Sequence, residues 1–172
     1  PVTYFAAYEL DCNSCVSVTG SHNPPDYNGL KMVIGGTTLA LDAIQNLKAR
    51  IEAGDLKHGK GERRSADVKS AYVEKIVGDV KLARPLKIVM DCGNGVAGAV
   101  APELFKRLGC EIIPLFCEVD GNFPNHHPDP SKPENLADVI KALKETDAEI
   151  GIAFDGDGDR LGVVTKDGEI IY

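Results

Sequence analysis

The sequence predicts an α/β protein of two lobes, with mixed, mostly parallel sheets flanked by helices. Short apolar, strand-like runs alternate with helical stripes through most of the chain. Strands that are separated by helices favour right-handed crossovers and parallel pairing. A polar stretch over residues 56–67, LKHGKGERRSAD, predicts a surface linker with a boundary near Ala66. We therefore expect one lobe over residues 1–66 and a second over residues 67–172.

The first lobe begins with an apolar stretch, VTYFAAYEL, which leads into two strand-like runs. CVSVT and LKMVI are predicted to be strands, joined by an irregular loop from Gly20 to Gly29. A helical stripe follows over residues 41–51 and stops at Gly54, a residue type favoured just after a helix.

Elements alternate more regularly beyond the linker. Helices are predicted over about Val68–Val80, Val96–Leu108 and Glu134–Glu145, and strands at KIVMD, EIIPLF and EIGIAF. LGVVT and EIIY, separated by a turn at Asp167 and Gly168, predict a hairpin. Because an apolar stretch is interrupted at each end, we expect the chain to be a fragment of a longer protein.

Composition limits the possible functions. The 172 residues are 43% hydrophobic, carry a formal net charge of −7 and include no tryptophan. The acidic balance and the lack of a basic stripe argue against a nucleic-acid partner. No segment approaches a membrane span, and no charged-then-apolar leader is visible. We expect a cytoplasmic monomer.

The five cysteines predict reduced thiols rather than a disulfide framework. Cys12 and Cys15 form a C-x-x-C, which could be half of a zinc site or a redox pair. No second ligand pair stands at a suitable spacing, and Cys15 opens an apolar strand. An ordinary structural role is therefore favoured for both residues.

The run AFDGDGDR predicts a cation site. Asp155, Asp157 and Asp159 alternate with glycines and are closed by Arg160. Alternate residues of extended backbone point the same way, and hard oxygen donors favour Mg²⁺ over Mn²⁺ or Ca²⁺. A solvated acidic turn is the alternative. A calcium EF-hand is excluded, because Arg160 and Lys166 stand where that loop needs Gly and Glu.

A glycine fingerprint stands between a predicted strand and a predicted helix. Gly93, Gly95 and Gly98 in DCGNGVAG spell G-x-G-x-x-G, and Glu111 or Glu118 could serve a ribose. We favour a tight turn with close helix packing, since the acidic loop would repel a pyrophosphate unless a metal lay between them. A dinucleotide-binding oxidoreductase remains an alternative.

The second chemical signal is the loop that begins TGSHNP. Ser21 is flanked by glycine and held by a proline-rich turn, and exposed hydroxyls of this kind can act as nucleophiles or phosphate carriers. An ordinary loop serine is the more frequent case. A hydrolase elbow is excluded, because Asn23 stands where that motif needs glycine.

These motifs together resemble the α-D-phosphohexomutase superfamily, and closely its bacterial phosphomannomutase/phosphoglucomutase group. TGSHNPPDYNGLK and AFDGDGDRLG carry the resemblance, and DCGNGVAG and EVDGNFPNHHPDP support it. The resemblance implies phosphohexomutase-type lobes: the later part of the first of four domains over residues 1–66, and most of the second over residues 67–172. It also implies that this chain alone has little or no turnover.

The resemblance implies interconversion of hexose 1-phosphate and hexose 6-phosphate, of mannose or glucose, through a bound hexose 1,6-bisphosphate. Ser21 would be the phosphoserine, and Asp155, Asp157 and Asp159 would bind Mg²⁺ together with an oxygen of its phosphoryl group. Electrostatics agrees with this assignment. A phosphoserine carries about −1.5 to −2 charges at neutral pH, which three aspartates would repel without a bridging cation.

Other roles follow position by position. Lys31 matches the family lysine that acts as acid or base near the transferred proton, and Arg160 matches the arginine near the serine phosphate. His22 and Asn23 are expected to shape the serine loop and to approach the phosphoryl group.

His126 and His127 in NHHPDP are expected to shape a loop rather than to bind a metal or act as bases. A phosphatase or phosphotransferase of the haloacid-dehalogenase type, with an aspartate of DGDGD as nucleophile, stays open as an alternative. Its motif usually has threonine or valine at the fifth position, where this chain has Asp159.

Overall fold

The first lobe is a small antiparallel sheet with two helices. The computed structural model describes residues 1–24 and 26–171, so Pro25 and the last residue of the predicted hairpin, Tyr172, lie outside the described residues. The elements of this lobe are α1 Val2–Glu9, β1 Cys15–Thr19, β2 Gly29–Ile34, β3 Thr37–Thr38 and α2 Asp42–Glu52.

The register of this sheet determines which side chains share a face. The strand order is β1-β2-β3, and both pairs are antiparallel. Ser17 pairs with Lys31, and Thr19 pairs with Gly29. Because alternate residues of a strand point to the same face, Thr19 and Lys31 project from one side of the sheet.

Helix α2 ends as the sequence predicts. Gly54 adopts a left-handed φ of 67°. Its N–H donates to the Ile51 carbonyl at 3.1 Å, and the Asp55 N–H donates to the Arg50 carbonyl at 2.9 Å. These two bonds form a Schellman motif, which satisfies carbonyls that the end of the helix leaves without partners.

The second lobe is a five-stranded sheet with helices on both faces, and residues 55–68, which precede it, adopt neither helix nor strand. The sheet order is β5-β4-β6-β7-β8, with parallel β4–β5 and β4–β6 pairs and antiparallel β6–β7 and β7–β8 pairs. Its elements are α3 Lys69–Asp79, β4 Lys87–Asp91, a 3₁₀ turn Val96–Ala99, α4 Ala101–Arg107, β5 Glu111–Leu115, a 3₁₀ turn Pro133–Leu136, α5 Ala137–Glu145, β6 Ile150–Phe154, β7 Leu161–Thr165 and β8 Ile170–Ile171.

The core of the second lobe lies on both faces of this sheet. Along β4, Ile88 and Met90 belong to a cluster with Ala101 of α4, whereas Val89 belongs to the opposite cluster with Leu143 of α5. This alternation follows the two-residue period of a strand. A fully buried side chain of this size contributes roughly 1.5–3 kcal/mol. Strands β6 and β7, which flank residues 155–160 (the aspartate loop), also contribute buried residues to these clusters and are therefore firmly fixed.

The α/β class with sheets of mixed orientation flanked by helices is confirmed, but the expectation of mostly parallel pairing is wrong, because two of the six described strand pairs are parallel and four are antiparallel. The pairing follows the connections. The three strands that helices separate, β4, β5 and β6, pair in parallel, whereas strands joined by loops, including all of the first sheet, pair antiparallel. The domain boundary near Ala66 stays a prediction.

Local features differ from the sequence expectations. The helix predicted over about Glu134–Glu145 begins instead with the 3₁₀ turn Pro133–Leu136, which precedes α5. The prediction of one helix over Val96–Leu108 is wrong: a 3₁₀ turn and α4 meet at Val100, where φ is −131°. Pro102 lacks the N–H of a continuous helix and its ring clashes with the preceding turn, which accounts for the break. The apolar stretch VTYFAAYEL, for which no helix or strand is predicted, contains α1. No described helix is long and apolar enough to cross a membrane.

Candidate functional site

The aspartate loop connects two antiparallel strands at the edge where β4 and β6 end. It leaves β6 at Phe154, and Phe154 pairs with Leu161, the first residue of β7. Gly158 adopts a left-handed φ of 69°, and its N–H donates to the Asp155 carbonyl at 3.0 Å. The predicted position at the carboxyl end of a strand is confirmed.

The side chain of Asp155 is buried and held in place by hydrogen bonds. It is 0% exposed. Oδ1 accepts the N–H groups of Asp159 at 2.9 Å and Arg160 at 3.0 Å, and Oδ2 accepts Arg160 Nε at 3.1 Å. A buried carboxylate is costly unless it is paired and hydrogen-bonded. These contacts meet that requirement and fix the carboxylate.

Ser21 reaches across from the first lobe to the aspartates. Its Oγ lies 3.1 Å from Asp155 Oδ2 and 3.2 Å from Asp157 Oδ1. The hydroxyl has one proton, so it donates to one of these oxygens at a time. Ser21 has a left-handed φ of 53°, and its N–H donates to Thr19 Oγ1 at 2.8 Å. A side chain on Gly156 would overlap the Ser21 carbonyl, so glycine permits this approach.

Lys31 holds the other two carboxylates. Its Nζ lies 3.0 Å from Asp157 Oδ2 and 2.6 Å from Asp159 Oδ2. Hydrogen bonds to Asp159 and then to Asp157 hold the pKa of Lys31 well above its ordinary value. Burial tends to raise the pKa of Asp157, but the hydrogen bonds from Lys31 and Thr19 outweigh it and the pKa lies below its ordinary value.

Arg160 links the aspartate loop to the serine loop. Besides its bond to Asp155, its Nη2 lies 3.4 Å from Ser21 Oγ and contacts the His22 ring. His22 Nδ1 is in turn 3.1 Å from Ser21 Oγ. The guanidinium therefore stands beside the serine hydroxyl, where its planar donors suit a phosphoryl group.

The donor set fits a hard divalent cation. Asp155, Asp157 and Asp159 offer ligand oxygens that all lie within 4.8 Å of one another. Among residues 1–24 and 26–171, this is the one such group of three or more possible metal-ligating side chains. The ammonium of Lys31 lies between two of the carboxylates, so the site already attracts a positive charge. Carboxylate and hydroxyl oxygens are ligands that Mg²⁺ prefers.

A cleft of about 530 Å³ opens beside these groups. Its lining includes Ser21, Asn23, Lys31, Asp157 and Asp159, together with residues at the N-terminus of α1. The backbone N–H of Asn23 donates to the Gly20 carbonyl at 2.9 Å and so closes the serine turn. The structure thus brings together Ser21, His22, Asn23, Lys31, Arg160 and the three aspartates.

The two histidines of NHHPDP lie outside this group of ligands. His126 Nε2 is 2.9 Å from Oδ2 of the buried Asp91, and this hydrogen bond raises the pKa of His126. The His127 ring meets the His22 ring edge-on at 5.9 Å between centroids. These contacts support the loop-shaping interpretation.

The space beside each of the three fingerprint glycines is filled by other parts of the protein. A Cβ on Gly93 would come within 2.9 Å of Pro128 Cβ, and one on Gly95 within 2.8 Å of the Gly156 carbonyl oxygen. A Cβ on Gly98 would overlap the Cys117 carbonyl. In a dinucleotide site, the backbone at these glycines approaches a pyrophosphate. Here the backbone at Gly95 approaches the aspartate loop instead. These contacts favour the packing interpretation.

Sequence reasoning missed two residues that position the site. Thr19 Oγ1 accepts the Ser21 N–H and donates to Asp157 Oδ2 at 3.0 Å. Its signal was a hydroxyl two residues before the serine, the spacing of a local side-chain turn. Asp129 is buried, accepts Ser131 Oγ at 2.7 Å and lies 3.7 Å from Arg160 Nη1. No local pattern distinguishes Asp129 from other turn aspartates.

Comparison with known families gives two matches along the chain. Residues 1–58 match the family model described as phosphoglucomutase/phosphomannomutase, alpha/beta/alpha domain I. Residues 70–168 match the corresponding model for domain II. Together the two matches cover both lobes.

Individual proteins resemble the whole chain. A protein from Pseudomonas putida named phosphomannomutase/phosphoglucomutase is 60% identical over 172 residues, which are all of this chain and 37% of that protein. A phosphoglucomutase from Neisseria gonorrhoeae is 62% identical over 174 aligned positions, covering all of this chain and 38% of that protein. A crystal structure of a phosphoglucomutase/phosphomannomutase family protein from Burkholderia thailandensis has a TM-score of 0.90 and 65% identity, over 92% of this chain and 35% of that one.

Proposed function

The chain belongs to the phosphoglucomutase/phosphomannomutase family, and on that premise we propose that it supplies the phosphoserine loop and the metal loop of a phosphohexomutase. Such an enzyme is an isomerase that interconverts hexose 1-phosphates and hexose 6-phosphates, here of mannose, glucose or both. One observation carries the proposal: Ser21 Oγ lies 3.1 Å and 3.2 Å from two aspartates that are 134 and 136 residues away.

Ser21 is the phosphoryl carrier in this proposal. Its hydroxyl faces the cleft, and Arg160 Nη2 lies 3.4 Å from Oγ. A phosphoryl group on Oγ adds about −1.5 to −2 charges. Arg160 and Lys31 supply nearby positive charge, and Arg160 can offer two parallel N–H donors to phosphoryl oxygens.

Asp155, Asp157 and Asp159 would hold Mg²⁺, together with a phosphoryl oxygen on Ser21. The ion would neutralise negative charge on the transferring group. The chain contributes the rigid part of this arrangement, because three hydrogen bonds from Asp159 and Arg160 hold Asp155, and the loop joins β6 to β7.

The transfer exchanges one P–O bond for another. A sugar hydroxyl attacks the phosphorus of phospho-Ser21, the bond from phosphorus to Ser21 Oγ breaks, and a hexose 1,6-bisphosphate forms. The sugar hydroxyl gives up its proton and Ser21 Oγ gains one. Lys31 lines the same cleft, and its Nζ donates hydrogen bonds to Asp157 and Asp159; it is the group that we propose to hold or move a proton there. Return of the opposite phosphoryl group to Ser21 completes the isomerisation.

An aspartyl nucleophile is less well supported. Both oxygens of Asp155 already accept hydrogen bonds, and its side chain is buried. Asp157 is bonded to Thr19 and Lys31 through Oδ2. By contrast, the Ser21 hydroxyl lies within 3.4 Å of Asp155, Asp157 and Arg160.

The chain spans 37–38% of the length of the curated relatives described above. We therefore propose that the complete cycle uses residues beyond these 172, and that this chain by itself turns over hexose phosphates little or not at all. Robust activity of this chain in a coupled assay with glucose 1-phosphate would contradict that part of the proposal.

Phosphorylation of Ser21 is the direct test. We expect the intact mass of the chain to rise by one phosphoryl group after incubation with glucose 1,6-bisphosphate and Mg²⁺, and to stay unchanged when a chelator is added. Ser21→Ala should abolish the gain. Ser65→Ala, which changes an exposed serine of the linker, is the matched control and should keep it.

The same experiment separates the alternatives. A gain that persists in Ser21→Ala and disappears in Asp155→Asn would favour the aspartyl phosphotransferase. A gain that maps to another serine would overturn the assignment of Ser21.

A further inference from the structure

Two thiols meet in the core of the second lobe, away from the aspartate loop. Cys92 Sγ and Cys117 Sγ are 3.4 Å apart, and both cysteines are free. A disulfide has a sulfur–sulfur distance of about 2.0 Å, so a modest approach would join them.

The strand ends bring these thiols together. Cys92 follows β4, and its N–H donates to the carbonyl of Leu115, the last residue of β5, at 3.1 Å. Phe116 then adopts a left-handed φ of 49°, and Cys117 comes next. The two cysteines therefore lie side by side at the end of a parallel strand pair.

Their environments differ in a way that suits oxidation. Cys92 is 0% exposed, whereas Cys117 is partly exposed. The hydrogen bond with Cys92 lowers the pKa of the Cys117 thiol and outweighs the opposing effect of burial. The same contact and burial raise the pKa of Cys92. Cys117 is thus the accessible, more acidic thiol, and Cys92 is the partner that keeps its proton.

We propose that Cys92 and Cys117 form a reversible disulfide with hydrogen peroxide as oxidant. The Cys117 thiol releases its proton, the thiolate attacks one oxygen of hydrogen peroxide and the O–O bond breaks. A sulfenic acid forms, and the departing hydroxide takes up the released proton to give water. The Cys92 thiol then attacks the Cys117 sulfur, the S–S bond forms, and a second water leaves with the thiol proton. Two thiols are oxidised and one peroxide is reduced to two waters.

The disulfide would act on the aspartate loop through the turn that follows Cys92. Gly98 packs closely on the Cys117 carbonyl. The Val96 N–H donates to the Gly156 carbonyl at 3.1 Å. A shift of either cysteine is therefore transmitted to Gly156, between the first two aspartates. This second step rests on the proposed function, whereas formation of the disulfide does not.

Peptide mapping tests the disulfide directly. The chain is treated with stoichiometric hydrogen peroxide, alkylated, and digested with trypsin and a glutamate-specific protease, which cuts at Glu111 between Cys110 and Cys117. We expect a peptide pair joined through Cys92 and Cys117, and dithiothreitol should separate it. Cys117→Ala and Cys92→Ala should each abolish the pair. Cys110→Ala, which changes a buried thiol of the same core cluster, should keep it.

The outcomes are distinct. Over-oxidation of Cys117 to sulfinic acid without a cross-link, or a disulfide confined to Cys12 and Cys15, would overturn the proposal. If the cross-link forms, the rate of Ser21 phosphorylation by glucose 1,6-bisphosphate should fall at least about threefold and recover on reduction. An unchanged rate would overturn only the coupling. Failure of Ser21 phosphorylation in the reduced protein would count against the proposed function and leave the cross-link result standing.

Discussion

The two lobes differ in how completely they bury their side chains. In the second lobe, two clusters pack on opposite faces of the five-stranded sheet, with Val89, Leu143 and Val164 at 0% exposure. Among residues 1–24 and 26–58, none is fully buried. Several apolar side chains of the first sheet, including Val18 and Leu30, are more than half exposed.

Because of this difference, the two parts of the candidate site lie in lobes that are packed to different extents. The aspartate loop belongs to the lobe with a complete core, whereas Ser21 belongs to the lobe without one. Contacts with the aspartate loop then help to hold Ser21, through Oγ, the Thr19 hydroxyl and Lys31. The contact of Phe5 in α1 with Tyr72 in α3, 5.4 Å between ring centroids, adds a second connection between the lobes. The well-packed second lobe therefore helps to position the serine loop of the sparsely packed first lobe.

The largest expected effect is a loss of stability when the core of the second lobe is disrupted. Leu143→Ala removes a fully buried side chain and should lower the free energy of unfolding by about 2–5 kcal/mol. The matched change in the first lobe is Leu47→Ala, in the partly exposed stripe of α2, and it should cost less than about 1 kcal/mol. Urea denaturation followed by circular dichroism measures both. Equal losses would contradict the difference between the lobes.

An intermediate effect is expected where the lobes touch. A methyl group on Gly156 would overlap the Ser21 carbonyl, so Gly156→Ala should push the serine loop away. Overpacking of this kind costs about 1–3 kcal/mol, and the displacement should slow Ser21 phosphorylation by about a hundredfold. Thermal melting and intact-mass kinetics measure the two effects. Gly59→Ala, at an open and exposed position, is the control and should change neither.

The smallest expected effect comes from removing a single hydroxyl, that of Thr19, through which the first lobe contacts the aspartate loop. Thr19→Val keeps the shape of the side chain but removes a partner from the Ser21 N–H and from Asp157 Oδ2. We expect a loss of about 1 kcal/mol in stability and about a tenfold slower phosphorylation of Ser21. Thr19→Ser should restore most of both. If Thr19→Val behaves like Thr37→Val, a change on the exposed strand β3, then Thr19 does not position the site.

Local patterns in the sequence predict most of the second lobe and the end of one helix in the first lobe. The alternation of Ile88, Val89 and Met90 places side chains on two faces of β4, as the two-residue period requires. The end of α2 at Gly54 follows from the freedom of glycine to adopt positive φ. Short-range backbone preferences decide both features, so the sequence alone is sufficient for them.

Features that depend on distant contacts could not be predicted in this way. The apolar run that contains α1 has no clear helical stripe, and packing against β1 and Tyr72 accompanies its helical form. The position of Asp129 beside Arg160, and the meeting of Cys92 with Cys117, depend on how loops from different strands converge. Motif resemblance could pair Ser21 with the aspartates, and the motif includes Thr19, but the resemblance assigned no role to the Thr19 hydroxyl that joins them.

The separation of Ser21 from Asp155 along the chain has a consequence for folding kinetics. The two residues are 134 positions apart, and their contact closes a loop that contains most of the second lobe. Contacts of such long sequence separation form slowly, because the entropy of loop closure must be overcome first. If Ser21 accepts a phosphoryl group as proposed, then during refolding this reaction should become possible only after the secondary structure of either lobe has formed, and its onset would report the last step of assembly.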